Sequence, residues 1–141
     1  MQPGAVRSYK DLIVWQRAIQ LLVDVNPIVR SIPTPERYDF GSQMRRAALS
    51  VSSSIAEGFG RDHLGDYLRF LSVSRGSVFE VESDLLALQA LSLLPVGQLA
   101  PALDSADQIG RMLTSQSRKL RARYRRTGRQ GAAAFFDGPR T

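Results

Sequence analysis

Apolar residues spaced three and four apart recur in four stretches of this chain, while apolar–polar alternation nowhere persists long enough to make a strand. That period restricts the architecture to a small set. A helix with one apolar stripe must bury it, and four such helices joined by short links predict an all-α, antiparallel up-down-up-down four-helix bundle. The 141 residues suffice for one domain with one core.

The first helix is expected from Ser8 or Asp11 to Arg30, with Leu12, Trp15, Ile19 and Leu22 as its stripe. Pro27 should kink its last turn or stop it near Val25. The segment "SIPTPERYDFGS" holds two prolines and a glycine and reads as a connection. The second helix covers "QMRRAALSVSSSIAEGFGR", reaching back to Glu36 or Ser42, with Met44, Ala47, Ala48, Val51 and Ile55 buried and Gly58 and Gly60 as stop signals. Ser50, Ser52, Ser53 and Ser54 are mediocre helix formers. They read as a surface that another helix approaches closely, their hydroxyls satisfying buried polar groups. The third helix is expected from Asp62, as N-cap, to about Leu94, where Pro95 and Gly97 end it. Leu64, Leu68, Leu71, Val78, Leu85 and Leu88 hold its stripe. Gly76 interrupts it, at a cost in stability unless a neighbouring backbone approaches there. The fourth runs from Val96 to Tyr124 through Leu99, Leu103, Ala106, Ile109 or Gly110, Leu113 and Leu120. The expected organisation is a flexible N-terminus over 1–7, a bundle domain over 8–126 and a flexible C-terminal tail over 127–141.

Charge is distributed unevenly along this frame. Residues 118–141 carry eight Arg and Lys against Asp137 alone, a net +7, whereas the rest of the chain carries eleven basic and twelve acidic groups. A near-neutral body with a basic end points first to polyanions, meaning nucleic acid or an anionic membrane surface. Cysteine is absent, which removes disulfides and thiolate metal sites from consideration. The N-terminal stretch lacks the apolar core of a signal peptide, and "LLALQALSLLPV" is too short to span a bilayer. A soluble, cytoplasmic protein is expected.

Catalytic constellations are not formed. His63 is the single histidine and lies in a connecting turn. No G-x-S-x-G elbow is present, and Gly58, Gly60 and Gly65 miss the G-x-G-x-x-G spacing. Glu57, Glu80, Glu82 and Asp84 suggest a carboxylate metal centre, but a ferritin-type site needs Glu-x-x-His pairs on two helices. The expectation is therefore no catalytic residue, no metal and no cofactor. Arg45 and Arg46 have two readings: solvated surface, or a structural charge pairing in which Arg46 meets Glu57, Glu80 or Glu82 across helices.

The segments "YKDLIVWQRAIQLLVDV", "QMRRAALSVSSSIAEGFGR" and "YLRFLSVSRGSVFEVESDLLAL", followed by a fourth amphipathic helix, resemble the bacterial four-helix bundle family of ribosomal-RNA intervening-sequence proteins. The accessory proteins of diversity-generating retroelements are a related branch. The likeness spans about residues 8–120, in order, and rests on D-L-x-V-W, R-R-A-x-x-S-V, I-A-E-G and G-S-x-x-E-x-E together. Ser54 stands where the family usually has asparagine and Ser74 where it usually has alanine, so a role of that amide does not carry over. The resemblance implies a homopentameric ring without enzymatic activity and a nucleic-acid-binding role established for the retroelement branch. It also makes Arg45, Arg46 and Glu57 the signature charges.

Together these readings predict a non-enzymatic oligomeric module that binds RNA or DNA by its phosphates. Arg118, Lys119, Arg121, Arg123, Arg125 and Arg126 are the expected contacts, and Arg45, Arg61, Arg69 and Arg75 the secondary candidates. The alternative is a scaffold ring that binds a protein partner, its basic tail serving only solubility. Trp15, Phe59, Phe70 and Phe79 exceed what one small bundle needs inside, which favours self-association with the third helix contributing.

Overall fold

Four helices, α1 (Ile13–Ser31), α2 (Ser42–Phe59), α3 (Leu64–Ala90) and α4 (Val96–Thr127), make up the computed structural model, which describes residues 5–127 together with Ala132 and Phe136. No strand occurs among the described residues. A 3-10 turn, Tyr9–Asp11, leads into α1 and is closed by a capping box: Ser8 accepts from Lys10 N–H and Asp11 reaches back to Ser8 N–H. A π-helical turn, Arg37–Gly41, runs directly into α2.

Cross-helix contacts set the direction of each neighbour. Gln43 meets Glu80 and Ser50 meets Ser77, so α2 and α3 run in opposite senses. Arg17 with Gln108 and Asp24 with Ser105 do the same for α1 and α4. Gly110 lies beside Phe79 and Gly65 beside Tyr124, which orients α3 against α4. The four helices enclose one core that includes Leu21, Met44, Ile55, Leu71, Leu85, Leu99 and Leu113, all fully buried. No helix among the described residues is long and apolar enough to cross a membrane.

The five apolar positions predicted for α2 are all buried. In α1 the buried face is instead centred on Val14, Ala18, Leu21 and Val25, with Trp15, Ile19 and Leu22 on its shoulder. Nor does Pro27 stop α1, which continues to Ser31. Beyond the proline, Ile28, Val29 and Ile32 are buried. Each such side chain contributes about 1.5–3 kcal/mol by leaving water, against roughly 3 kcal/mol lost to a helical proline. Helix α3 ends at Ala90, short of Leu94, because Ser92 takes the left-handed conformation, φ 55°, and Leu93 N–H turns back to Leu88 O. Its N-cap is His63, not Asp62.

Gly58 is not a stop signal either. It lies inside α2, where a Cβ would come within 2.6 Å of Phe70 Cβ and 3.1 Å of Tyr67 Cδ1. Of the serines expected to serve such an approach, Ser50 reaches α3, whereas Ser52 and Ser53 donate to Leu49 O of their own helix. Ser74 Oγ donates to Val51 O at 2.8 Å, and Ser77 Oγ to Ser50 Oγ at 2.9 Å, bridging α3 to α2. The Tyr67 ring is fully buried, its hydroxyl has no hydrogen-bond partner among the described residues, and burial holds it neutral far above the usual phenol range.

The expected flexible ends fall largely outside the described residues. At the N-terminus, Val6 packs partly buried on the core. At the C-terminus, Ala132 is buried and Phe136 sits 6.0 Å from Phe59, centroid to centroid.

Candidate nucleic-acid interface

Helix α4 does not leave the bundle where its charges begin. Ser117 and Leu120 are buried, so the turns carrying the basic run are docked on the core. Helical geometry then sends Arg118, Lys119, Arg121, Arg125 and Arg126 to solvent, with Arg123 half-buried. None of the five exposed cations forms an ion pair among the described residues. Arg125 and Arg126 lie in the last turn, where the helix dipole favours positive charge.

A groove of about 600 Å³ opens between α3 and α4. Arg75 and Phe79 line it from α3, and Arg111, Thr114, Arg118 and Lys119 from α4. The Arg75 guanidinium lies 5.1 Å over the Phe79 ring, and the edge of that ring approaches Gly110. Glu82 and Asp107 are the acids on the walls, and Asp107 is engaged by Arg111 at 3.0 Å. The groove therefore joins the secondary candidate Arg75 to the primary candidates Arg118 and Lys119. Sequence reasoning passed over Arg111, although it stands seven residues before Arg118 and so on the same helical face. In sequence Phe79 reads as a self-association residue, and its place in a cationic groove depends on a packing that no local pattern announces.

The remaining cations lie elsewhere. Arg61 pairs with Glu57 at 3.0 Å and covers the Phe70 ring at 4.9 Å. Arg69 reaches the same ring from 5.4 Å and Asp66 from 3.8 Å. Arg45 donates to Asn26 Oδ1 at 3.3 Å, on the α1 side of α2. Arg46 is exposed and forms no ion pair with Glu57, Glu80 or Glu82 within the chain; it borders a polar recess with Tyr38, Gln43, Ser50 and Glu80. Glu57 is held by Arg61, Glu80 accepts from Gln43 Nε2 at 3.3 Å, and Glu82 faces the groove. Arg46→Ala should therefore change the denaturant midpoint by no more than about 0.5 kcal/mol equivalent. A loss of roughly 3–5 kcal/mol would reveal a buried partner contributed by another copy.

No group of three His, Asp or Glu side chains among the described residues is placed to hold a metal. Asp84 has its carboxyl pushed upward, mainly by burial and secondarily by the charge of Glu80.

Comparison with known proteins places this geometry in context. A family model described as 23S rRNA-intervening sequence protein matches residues 10–115, a span that ends just before the basic run. Among solved structures, the fold is similar to that of a protein with unknown function from the S23 ribosomal protein family of Bacteroides thetaiotaomicron. The two are 16% identical, with a TM-score of 0.70 over 74% of this chain and 98% of that one. No curated protein matches in sequence.

Proposed function

The chain belongs to the 23S rRNA-intervening sequence protein family, and from that premise we propose a non-enzymatic, self-associating bundle that binds RNA or DNA through phosphate contacts in the cytoplasm. The observation that carries this reading is the docked basic end of α4: five exposed cations without acidic partners among the described residues, continuous with Arg75 across a groove. Fixed cations with no internal partner are available to phosphates, and arginine makes bidentate contacts with them.

Self-association has support of a different kind. Trp15 and Phe59 pack against the core and Phe70 lies beneath two arginines, so the predicted surplus of aromatic surface shrinks to Phe79. Aliphatic side chains take its place: Val73 on α3 and Leu49 on α2 are about half exposed. Gly76 lies on the same outer side of α3 as Val73, with nothing within 4 Å of where its Cβ would be. A second copy covering this face would account for both features. Family resemblance sets the proposed assembly at five subunits.

Sedimentation with and without a mixed-sequence RNA tests both parts. The free protein should sediment above the mass of one 15.6 kDa chain at micromolar concentration. It should carry RNA with it at low salt. With four phosphate contacts, affinity should fall about 50- to 150-fold between 50 and 200 mM salt. A salt-independent association, or none, would favour the scaffold reading.

A further inference from the structure

We infer that the α3–α4 groove takes an unpaired stretch of nucleic acid, with a base stacked at Phe79 and the flanking phosphates on Arg111, Arg118 and Lys119. The inference rests on the nucleic-acid reading above and adds to it the strandedness of the ligand. Phe79 is 48% exposed, although it is a large apolar side chain in a wall otherwise rich in cations. The facing position on α4 is Gly110, whose Cβ would lie 3.8 Å from Phe79 Cε1, so no α4 side chain at that position covers the ring, which lines the groove. Arg75 lies over the ring, so a planar cation and a planar hydrocarbon are presented together. Base faces stack on aromatic rings and on guanidinium planes, and this contact needs a base whose partner strand is absent. A duplex exposes phosphates but shields its base faces, so it can use the cations and not the ring.

The geometry suits a strand lying along α4. Arg111 and Arg118 are seven residues apart on one helical face, which places them about 10 Å from each other along the axis. The groove, about 600 Å³, is within the size range of sites that enclose small organic groups. Its charge balance is positive, with Arg75, Arg111, Arg118 and Lys119 against Glu82 and Asp107.

The test is fluorescence anisotropy of the full chain with a 16-nucleotide unstructured RNA and, separately, a 16-base-pair RNA duplex (lengths of about the size that single-strand and duplex binders occupy). Phe79→Ala should weaken the single strand about 5- to 150-fold, the loss expected for one stacked base, and leave the duplex affinity within twofold. Phe79→Tyr should restore single-strand binding, and the salt dependence should be the same in all three proteins, since no cation has changed. Equal losses for both probes, or none for either, would overturn the stacking assignment while leaving phosphate binding intact. A lowered sedimentation mass in Phe79→Ala without nucleic acid would also overturn it, by placing the ring between copies. Failure of the unaltered chain to bind either probe would overturn the nucleic-acid reading itself.

Discussion

Replacing Gly58 by alanine should destabilise the bundle by about 1–3 kcal/mol, the usual range for forcing volume into a packed core. A single methyl group has this effect because of what it meets. The nearest atom, Phe70 Cβ at 2.6 Å, is attached directly to the backbone of α3 and cannot rotate away, and Tyr67 Cδ1 at 3.1 Å belongs to a fully buried ring. Relief requires α2 and α3 to separate, which would lengthen the Ser74–Val51 and Ser77–Ser50 bridges at the same contact. For a chain of this size the melting temperature should drop by roughly 3–10 °C. Gly97→Ala, at the start of α4, is the control. Its methyl group meets nothing within 4 Å in the single chain, and alanine is favoured over glycine in a helix by about 1 kcal/mol. If the two substitutions shift the melting temperature equally, the close approach at Gly58 is not what holds α2 against α3.

Reversing Arg118, Lys119, Arg121 and Arg125 to glutamate should abolish retention of nucleic acid at 150 mM salt and flatten the salt dependence that remains. Four phosphate contacts correspond to a slope of about −3 in log K against log salt, so their loss is at least the 50-fold that salt alone would produce. Substitution isolates charge in a way that truncation after Gln116 does not, because Leu120 beyond that point is buried in the core. Glutamate near the end of α4 opposes the helix dipole, so a stability loss of about 0.3–1 kcal/mol is expected, without unfolding. A reversed protein that binds as tightly as the original would assign the contact elsewhere, to Arg45, Arg61, Arg69 or Arg75.

Much of the architecture was legible in the residues. Met44, Ala47, Ala48, Val51 and Ile55 repeat at the helical period and are all buried, and the serine-rich helix does meet a neighbour at close range. The misreadings have physical causes. Pro27 suggested an end to α1 because local hydrogen bonding is visible in sequence, whereas the burial of Ile28, Val29 and Ile32 that overrides it is tertiary. Ser92 ends α3 in a conformation usually taken by glycine, so no glycine marked the spot. Gly58 reads locally as a helix stop, since its partner Phe70 lies on the next helix and the two are brought together only by packing. The candidate site divides in the same way. The density of cations in α4 is local and was read directly, and Arg111 was within reach of the same helical period. The meeting of Arg75 with Arg118, and the opening of Phe79 between them, depends on the register of α3 against α4.

The docking of α4 through Leu120 bears on kinetics as well as on affinity. Because the cations ride on a packed helix, their backbone is already ordered before a ligand arrives, and little further ordering entropy is lost on contact. Binding to such a surface should be limited by electrostatically steered encounter and not by a folding step, so added salt would act chiefly on the association rate. A substitution that frays the end of α4 without altering its charge, such as Ala122→Gly at an exposed position, should act on the other side of the balance. The same cations would then have to be ordered by the ligand, and the complex would dissociate faster.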